Sequence, residues 1–428
     1  MATSSSREVK LSKRGEARSQ TLWAPNTYWG AEHFDLERNP DGLIRENSAE
    51  NLLLNDRLLK YIHEHFRLSE EHLKYRIGLV NSFEPTLIDA LPKFLNRTLK
   101  PLVPITPEAT VIGPGIGGVL AHLLWILTQP GDGVVLTTPF YTTYVRDIRY
   151  PAQAVPVVAQ IPADVDPLSP AVLPFIRKAI QENETPTRKC SVLILCNPHN
   201  PLGRAYPVET IVGYAEIAEE FDLHLISDEL FANQIFSSRL SPNPTPFTSV
   251  LSLPSSTKCN PARIHVLATP TKDFGASGIK LGGLVSQHNR DVVKCVRDAL
   301  IATPISAAAD TIFTTILNDE KWCEEFLRDN RVVMAKAFEL LVDWCNFHGF
   351  PFTITEAGVF SLVDFASAIR KTEDQSLPVK EQVANATQKL LDAGLLMGAS
   401  NDAIPTRFRV IFTFPERVMK VCGKSFVE

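Results

Sequence analysis

The segment TPTKDFGASGIKLGG, residues 269–283, holds two lysines, Lys272 and Lys280, eight positions apart among glycines and small residues. Lysine side chains usually lie in water. Lys272, however, closely follows the apolar run IHVLA, and burial disfavours a charged ammonium group. An amine in that position can act as a nucleophile or as a base. Lys280 lies in the glycine-rich turn, where its positive charge suits an anion.

Four further apolar runs are each followed by a group that can bind a ligand. Asn200 follows SVLIL, Asp228 follows LHLI, and Tyr141 follows GVVLT. After ATVI comes GPGIGGVLAHLL, in which Ile116 and Gly117 open a predicted helix whose N-terminus can bind an anion. Taken singly, each feature has a simpler explanation, because asparagine and glycine form turns, aspartate caps helices and tyrosine packs in cores.

The elements that must position these groups are short apolar runs that alternate with longer helical patterns from about residue 100 onward. The pattern VETIVGYAEIAEEF (208–221) is typical of an amphipathic helix. Such alternation predicts an α/β fold with a buried, mainly parallel sheet and helices on both faces. The last two runs are too close for a helical crossover, so they should pair antiparallel or not pair directly. The predicted strands are ATVIG, GVVLTTP, AVPVVA, SVLILCNP, LHLISDE, IHVLATP and LGGLVS.

Ligands of open α/β sheets bind beyond the carboxyl ends of the strands, so the five groups should meet there. Together they supply an amine, a carboxylate, an amide, an anion-binding helix start and an aromatic face. Pyridoxal phosphate needs all five. Its aldehyde needs a lysine, its ring nitrogen an acid, its phosphate a helix N-terminus with hydroxyls, and its flat ring an aromatic neighbour.

The motifs that carry this pattern resemble those of a known family over about residues 30 to 420. They are NPDGLI followed by SAEN (39–51), TPFYTTYVRDIR, CNPHNPLGR, SDELF, TKDFGASGIKLG and FRVIFTF. The chain resembles the fold type I pyridoxal-phosphate enzymes, the class I/II aminotransferases, and within them the 1-aminocyclopropane-1-carboxylate (ACC) synthase branch. That resemblance implies a large domain with a mainly parallel sheet and a smaller α+β C-terminal domain.

The resemblance also implies roles for the cofactor site. Lys272 would form the Schiff base with pyridoxal phosphate and move the substrate Cα proton. Asp228 would pair with the ring nitrogen, Asn200 would bond the 3′-oxygen of the ring, and Tyr141 would stack on the ring. The phosphate would be bound by two backbone N–H groups and two hydroxyls, those of Ile116, Gly117, Thr269 and Thr271.

On the substrate side, the resemblance implies that Arg409 clamps the substrate carboxylate and that Glu50 supplies a carboxylate near the substrate. A surface salt bridge is the alternative for Arg409, but the surrounding FRVIF strand is otherwise apolar. Three departures from the family pattern indicate a retuned, specialised site. Phe231 replaces a tyrosine that meets the cofactor 3′-oxygen, Lys280 replaces an arginine on the phosphate, and Tyr75 in YRIG is displaced from the family's YHG segment.

Composition limits the remaining classes of function. The net charge of −5 argues against a broad nucleic-acid surface, and no apolar run approaches the roughly 20 residues of a membrane span. The seven cysteines are scattered without CxxC spacing, which predicts no metal site and a reducing, cytoplasmic location. We expect an N-terminal arm (1–50), a large cofactor domain (51–307) and a small C-terminal domain (308–428). The resemblance further implies a homodimer that acts on a small amino-acid-type substrate.

Two functions remain open at this point. A lyase would remove the Cα proton and eliminate a leaving group, such as one linked through sulfur, and the departures favour this specialised reaction. An aminotransferase would return the proton elsewhere and release a keto acid. ACC synthase activity and a non-catalytic pyridoxal-phosphate-binding protein are the weaker alternatives.

Overall fold

The computed structural model describes residues 11–20, 33–35, 37–74 and 86–425. Its strands are β1 (Ile44–Arg45), β2 (Thr110–Gly113), β3 (Gly133–Thr137), β4 (Val155–Ala159), β5 (Cys190–Cys196), β6 (His224–Asp228), β7 (Ile264–Ala268), β8 (Gly282–Val285), β9 (Phe360–Asp364), β10 (Leu395–Leu396) and β11 (Arg407–Ile411). Its helices are α1 (Lys13–Gln20), α2 (Asn55–His65), α3 (Leu87–Leu99), α4 (Ile116–Leu127), α5 (Tyr144–Arg149), α6 (Leu173–Asn183), α7 (Val208–Glu220), α8 (Arg290–Ala299), α9 (Ala307–Asn318), α10 (Glu320–His348), α11 (Ala366–Thr372), α12 (Val379–Asp392) and α13 (Glu416–Ser425).

The central sheet has the strand order β2-β8-β7-β6-β5-β3-β4 within the described ranges. All seven predicted strands are found in it. Neighbouring strands from β4 to β7 run parallel, whereas β8 pairs antiparallel with both β7 and β2. The α/β prediction and the antiparallel pairing of the last two runs are therefore confirmed.

The strands of this sheet are buried on both faces because side chains alternate across a strand. On β5, Leu193 and Leu195 pack into a cluster with residues of α3, α6, α7 and α9. Val192 and Ile194 point to the opposite face and pack with residues of α4 and α8. Since both faces are covered by helices, ligands can reach the sheet only at its ends.

A separate apolar cluster contains residues of β9, β11 and the second half of α10, together with Phe231 and Phe236. β9 and β11 pair antiparallel, and the short β1 pairs parallel with β10. The stretch 318–347, whose pattern predicts a helix, corresponds to α10. The Asp319 carboxylate accepts a hydrogen bond from the Trp322 N–H at 3.0 Å and so caps the start of α10. The two boundaries between the three predicted segments stay predictions.

The Pro- and Ser-rich segment 237–263 is a loop with two short 3-10 turns, Val250–Ser252 and Pro261–Arg263. In the part of the chain that the structure describes, no helix is long and apolar enough to cross a membrane.

Candidate active site

Lys272 lies just beyond the carboxyl end of β7, and its amine points into the protein. The Nζ atom donates a hydrogen bond to the Ala49 carbonyl at 2.7 Å. Burial lowers the pKa of this amine to about 8, and the nearby charge of Glu50 partly opposes that effect. The backbone carbonyl of Lys272 accepts a hydrogen bond from Gln234 Nε2 at 2.6 Å, which fixes the turn. About a tenth of the amine is therefore neutral at pH 7, far more than for an ordinary lysine, and the neutral form is the one that a nucleophile or base requires.

Asp228 ends β6, the strand next to β7, and only 6% of its surface is exposed. Its Oδ2 atom accepts a hydrogen bond from the Tyr144 hydroxyl, and Oδ1 lies 3.4 Å from the Leu230 N–H. Burial raises the pKa of the carboxyl to about 6. No salt bridge to Asp228 is found among the described residues, so this buried acid has room for a cationic partner.

Arg409 and Asn200 form a second polar group near the amine. One guanidinium nitrogen of Arg409 donates to Asn200 Oδ1 at 3.1 Å and another donates to the Asn47 carbonyl at 2.7 Å. The guanidinium carbon lies 5.4 Å from the centre of the Phe360 ring, and burial lowers the pKa of the group. Arg409 is half-buried and forms no salt bridge within the described ranges, so the surface-salt-bridge alternative is not supported.

The predicted anion site lies at the N-terminus of α4, which begins at Ile116, with Gly117 in its first turn. Gly115 precedes the helix with φ 95°, and a Cβ placed on Gly282 would lie 2.5 Å from the Gly115 carbonyl carbon. Only glycine permits this close backbone approach. The Lys280 side chain passes beside the same turn, since its Cδ would lie 3.5 Å from a Cβ on Gly115. A helix N-terminus and an ammonium group therefore adjoin one another, which suits a phosphate.

Thr269 and Thr271 are buried between Lys272 and this turn. Their hydroxyls contact the Leu281 carbonyl at 2.6 and 3.1 Å and each other at 2.9 Å. These contacts join the start of the turn that contains Lys272 to Leu281, the residue after Lys280. The expected role of the two hydroxyls toward a phosphate stays a prediction.

Three of the remaining predicted residues lie around the same centre. The Tyr141 ring packs edge-on against Tyr144, with 5.3 Å between the ring centres. Phe231 is buried and packs edge-on against Phe360, which also underlies Arg409. Glu50 is half-buried and its charge acts on Lys272. Tyr75, the third predicted substrate residue, lies outside the described residues.

A cavity of about 300 Å³ connects several of these groups. One wall is the loop from Phe140 to Thr143, the other is the stretch from Leu396 to Ser400, and Arg409 lies between them. The two walls are tied together by a hydrogen bond of 2.9 Å from the Phe140 N–H to Asn401 Oδ1. The cavity therefore lies between the central sheet and the second apolar cluster.

The described residues fit pyridoxal phosphate on two observations. The Asp228 carboxylate is buried, and its hydrogen-bond donors among the described residues are a neutral hydroxyl and a distant N–H, which leaves it suited to a protonated ring nitrogen. The backbones of Gly115 and Gly282 approach so closely that a Cβ would fill the turn beside Lys280. A buried acid without a cation and a glycine-lined anion cradle are the features that this cofactor requires.

Sequence reasoning named Glu50 and the SAEN motif, but it did not find Tyr144 or the contacts that the backbone of the segment Glu46–Asn51 makes. Tyr144 belongs to the TPFYTTY motif, but the resemblance gave it no role. The segment supplies the Asn47 and Ala49 carbonyls that hold Arg409 and Lys272. Only the backbone of these residues makes the two contacts, so no pattern of residue types could have revealed them.

Comparison with known proteins identifies the family. Residues 67–424 match the family model Aminotransferase class I and II. The chain is 28% identical to the probable aminotransferase gliI of Aspergillus fumigatus, over 89% of this chain and 87% of that protein. It is 25% identical to 1-aminocyclopropane-1-carboxylate synthase 2 of Solanum lycopersicum, over 90% of this chain and 79% of that protein.

Among solved structures, the aspartate aminotransferase of Thermus thermophilus with maleate has a TM-score of 0.69 and 19% identity, and the match covers 98% of this chain and 99% of that one. This likeness shows the shared fold. The resemblance stated from the motifs is confirmed, and so is the fold class. The protein belongs to the aminotransferase class I and II family and is a pyridoxal-phosphate-dependent enzyme of fold type I.

Proposed function

We propose that this enzyme removes the Cα proton of an amino-acid-type substrate and then eliminates a leaving group, such as one bonded through sulfur. The observation that carries the proposal is the convergence of charges on the Lys272 amine. Burial is the main cause of its lowered pKa, and the charges of Glu50, Arg409, Lys280 and Asp228 all act on the same atom. A poised base therefore lies among the groups expected for substrate and cofactor.

When bound, pyridoxal phosphate supplies an aldehyde for an amine and a ring that accepts the electron pair of the broken bond. Asp228 would hold a proton at the ring nitrogen, and Asn200 would donate to the 3′-oxygen. The helix start at Ile116 and Gly117, the ammonium of Lys280 and the hydroxyls of Thr269 and Thr271 would bind the phosphate, with Tyr141 against the ring. Lys272 would take the Cα proton.

On the substrate side, Arg409 would bind the carboxylate through its planar fork, which is already oriented by Asn200 and the Asn47 carbonyl. This contact would fix the Cα–H bond relative to Lys272. Glu50 and Tyr75 remain the other proposed substrate contacts.

Elimination is favoured over transamination by the surroundings of Arg409. The cavity of about 300 Å³ beside it also adjoins Tyr141 and Asn200, so it would hold the substituent of the substrate next to the cofactor ring. Its walls include Thr142, Thr143 and Ser400, whose hydroxyls are neutral and can protonate a departing anion only weakly. Such a site suits a leaving group that is stable as an anion, and a thiolate meets that requirement because the pKa of a thiol is about 8.5.

The test uses the holoenzyme and a cysteine whose sulfur carries an aryl or alkyl group. Elimination predicts one thiol and one ammonia per substrate consumed, with a 2-oxo acid and unchanged cofactor. Lys272→Ala should release neither product. If the substrate nitrogen stays on the cofactor, as its amino form, and no thiol is released, elimination is refuted. A wild-type protein that binds no pyridoxal phosphate would refute the whole proposal.

The alternative function is an aminotransferase. It is favoured by the similarity of the chain to the probable aminotransferase gliI of Aspergillus fumigatus. In the same experiment, transamination predicts the amino form of the cofactor and its return to the aldehyde form when a 2-oxo acid is added.

We also propose a homodimer, because the family resemblance implies sites shared between two subunits. Light scattering of the holoenzyme would give about twice the monomer mass of 47.5 kDa if this is correct. A cytoplasmic location stays a prediction that rests on the scattered cysteines.

A further inference from the structure

Tyr144 contacts the acid that is expected to face the cofactor, yet neither the motifs nor the family resemblance gives it a role. It begins α5, and only 3% of its surface is exposed. Its hydroxyl donates a hydrogen bond to Asp228 Oδ2. The edge-on contact with Tyr141 holds the ring in place at 5.3 Å. The hydroxyl therefore has a fixed partner in a dry environment.

Few other groups can influence the Asp228 carboxylate. The titratable and charged neighbours that face it are Tyr144 from α5, the Cys196 thiol from β5, Glu229 from its own strand end and Lys272 from the turn after β7. The Cys196 thiol donates to the Pro198 carbonyl at 3.7 Å. Tyr144 is thus the side-chain donor directed at the carboxylate within the described residues.

The position of this donor matters because two bases compete for one proton. The buried carboxyl has a pKa of about 6, so its affinity for a proton is close to that of an aromatic ring nitrogen. A hydrogen bond donated to the carboxylate stabilises its charged form and lowers its proton affinity. Phe231, three residues beyond Asp228, brings no hydroxyl to the site, and the phenol that contacts the carboxylate is that of Tyr144.

We propose that Tyr144 is a positioning residue that acts through Asp228 to keep the shared proton on the ring nitrogen of pyridoxal phosphate. The proposal rests on the proposed cofactor site and deepens it. Loss of the hydroxyl moves the proton from the ring nitrogen toward the carboxylate. A hydrogen bond to a charged group is strong enough to shift such an equilibrium about tenfold or more.

The experiment is nitrogen-15 NMR of the holoenzyme loaded with cofactor labelled at the ring nitrogen. In the wild type the chemical shift should match a protonated ring. In Tyr144→Phe, which removes one oxygen atom, the shift should move toward that of a neutral pyridine. Tyr214→Phe is the matched control, because Tyr214 is equally buried but its hydroxyl contacts Thr137 Oγ1 at 3.1 Å instead of Asp228.

An unchanged ring-nitrogen shift in a folded Tyr144→Phe holoenzyme overturns the inference while leaving the cofactor site intact. An equal change of the ring-nitrogen shift in Tyr214→Phe also overturns it, since the effect would then come from a general loss of packing and not from the contact with Asp228. If Tyr144→Phe does not fold, Tyr144→Leu removes the same hydroxyl and carries the same expectation. Failure of the wild type to bind the labelled cofactor is a different outcome, because it refutes the proposed function itself.

Discussion

Glu46 is a buried carboxyl whose replacement should change how stability depends on pH. It follows β1 and has no exposed surface. Its Oε2 atom accepts a hydrogen bond of 2.6 Å from the Ile411 N–H, and the Cys422 thiol lies beside it. The variant Glu46→Gln keeps the size of the side chain and an acceptor for Ile411 but removes the titration.

The magnitude follows from the pKa of the carboxyl. Burial raises the pKa of Glu46 from 4.5 to about 8, although the Ile411 N–H, Cys422 and Arg409 each oppose the rise. The folded protein therefore binds a proton that the unfolded chain releases above pH 4.5, so stability falls as the pH rises from about 4.5 to about 8. The slope is about 1.4 kcal/mol per pH unit midway between the two pKa values and smaller near each of them, so the wild type should lose about 3 kcal/mol between pH 5 and pH 8 from this group alone.

The assay is urea unfolding of the holoenzyme at several pH values, with the cofactor in equal excess. We expect the free energy of unfolding of Glu46→Gln, relative to wild type, to increase by about 3 kcal/mol between pH 5 and pH 8. Taking the difference cancels the pH dependence of all other groups. Glu64→Gln, at an exposed position of α2, is the control and should follow the wild-type profile. Parallel profiles for Glu46→Gln and wild type would show that the carboxyl does not hold a proton in the folded state.

Three further predictions concern the active site. With a pKa of about 8 for Lys272, cofactor incorporation into the cofactor-free protein should accelerate about tenfold per pH unit below pH 8 and level off above it; a rate that does not change with pH contradicts this. Phe231→Tyr should lower the pH at which the absorbance of the bound cofactor changes, whereas no change would show that residue 231 does not face the cofactor. Arg409→Lys should raise KM about 30-fold with a smaller effect on kcat, because a point charge replaces a bidentate fork; equal KM values would exclude Arg409 as the carboxylate clamp.

The central sheet could be predicted from sequence because its strands are short apolar runs separated by turn-forming residues. The same patterns located Lys272, Asp228 and Asn200, since each directly follows a run and parallel strands bring their carboxyl ends to one edge. The helical pattern over 318–347 likewise predicted α10 (Glu320–His348), whose start is fixed by the Asp319 cap.

Contacts between distant segments could not be predicted. Tyr144 and Asp228 are 84 residues apart, and Glu46 and Ile411 are 365 residues apart. In the sequence, Tyr144 lies three residues after Tyr141, a spacing that is equally consistent with core packing. Glu46 lies within the polar first 50 residues, where a glutamate is typical of a solvated charge. Their partners are chosen by tertiary packing, which sequence periodicity does not encode.

The segment around Asn47 and Ala49 contacts both Arg409 and Lys272, so it is a part of the site and not a peripheral arm. The Asn47 carbonyl holds the Arg409 guanidinium, and the Ala49 carbonyl holds the Lys272 amine. These two carbonyls are two residues apart, so the chain limits the distance between their Cα atoms to about 7 Å. In an amino acid the carboxylate and the Cα proton are also neighbours. A single short stretch of backbone therefore sets the spacing between the proposed carboxylate clamp, Arg409, and the proposed base, Lys272, at the scale of one amino acid, and any movement of that stretch would shift both groups together.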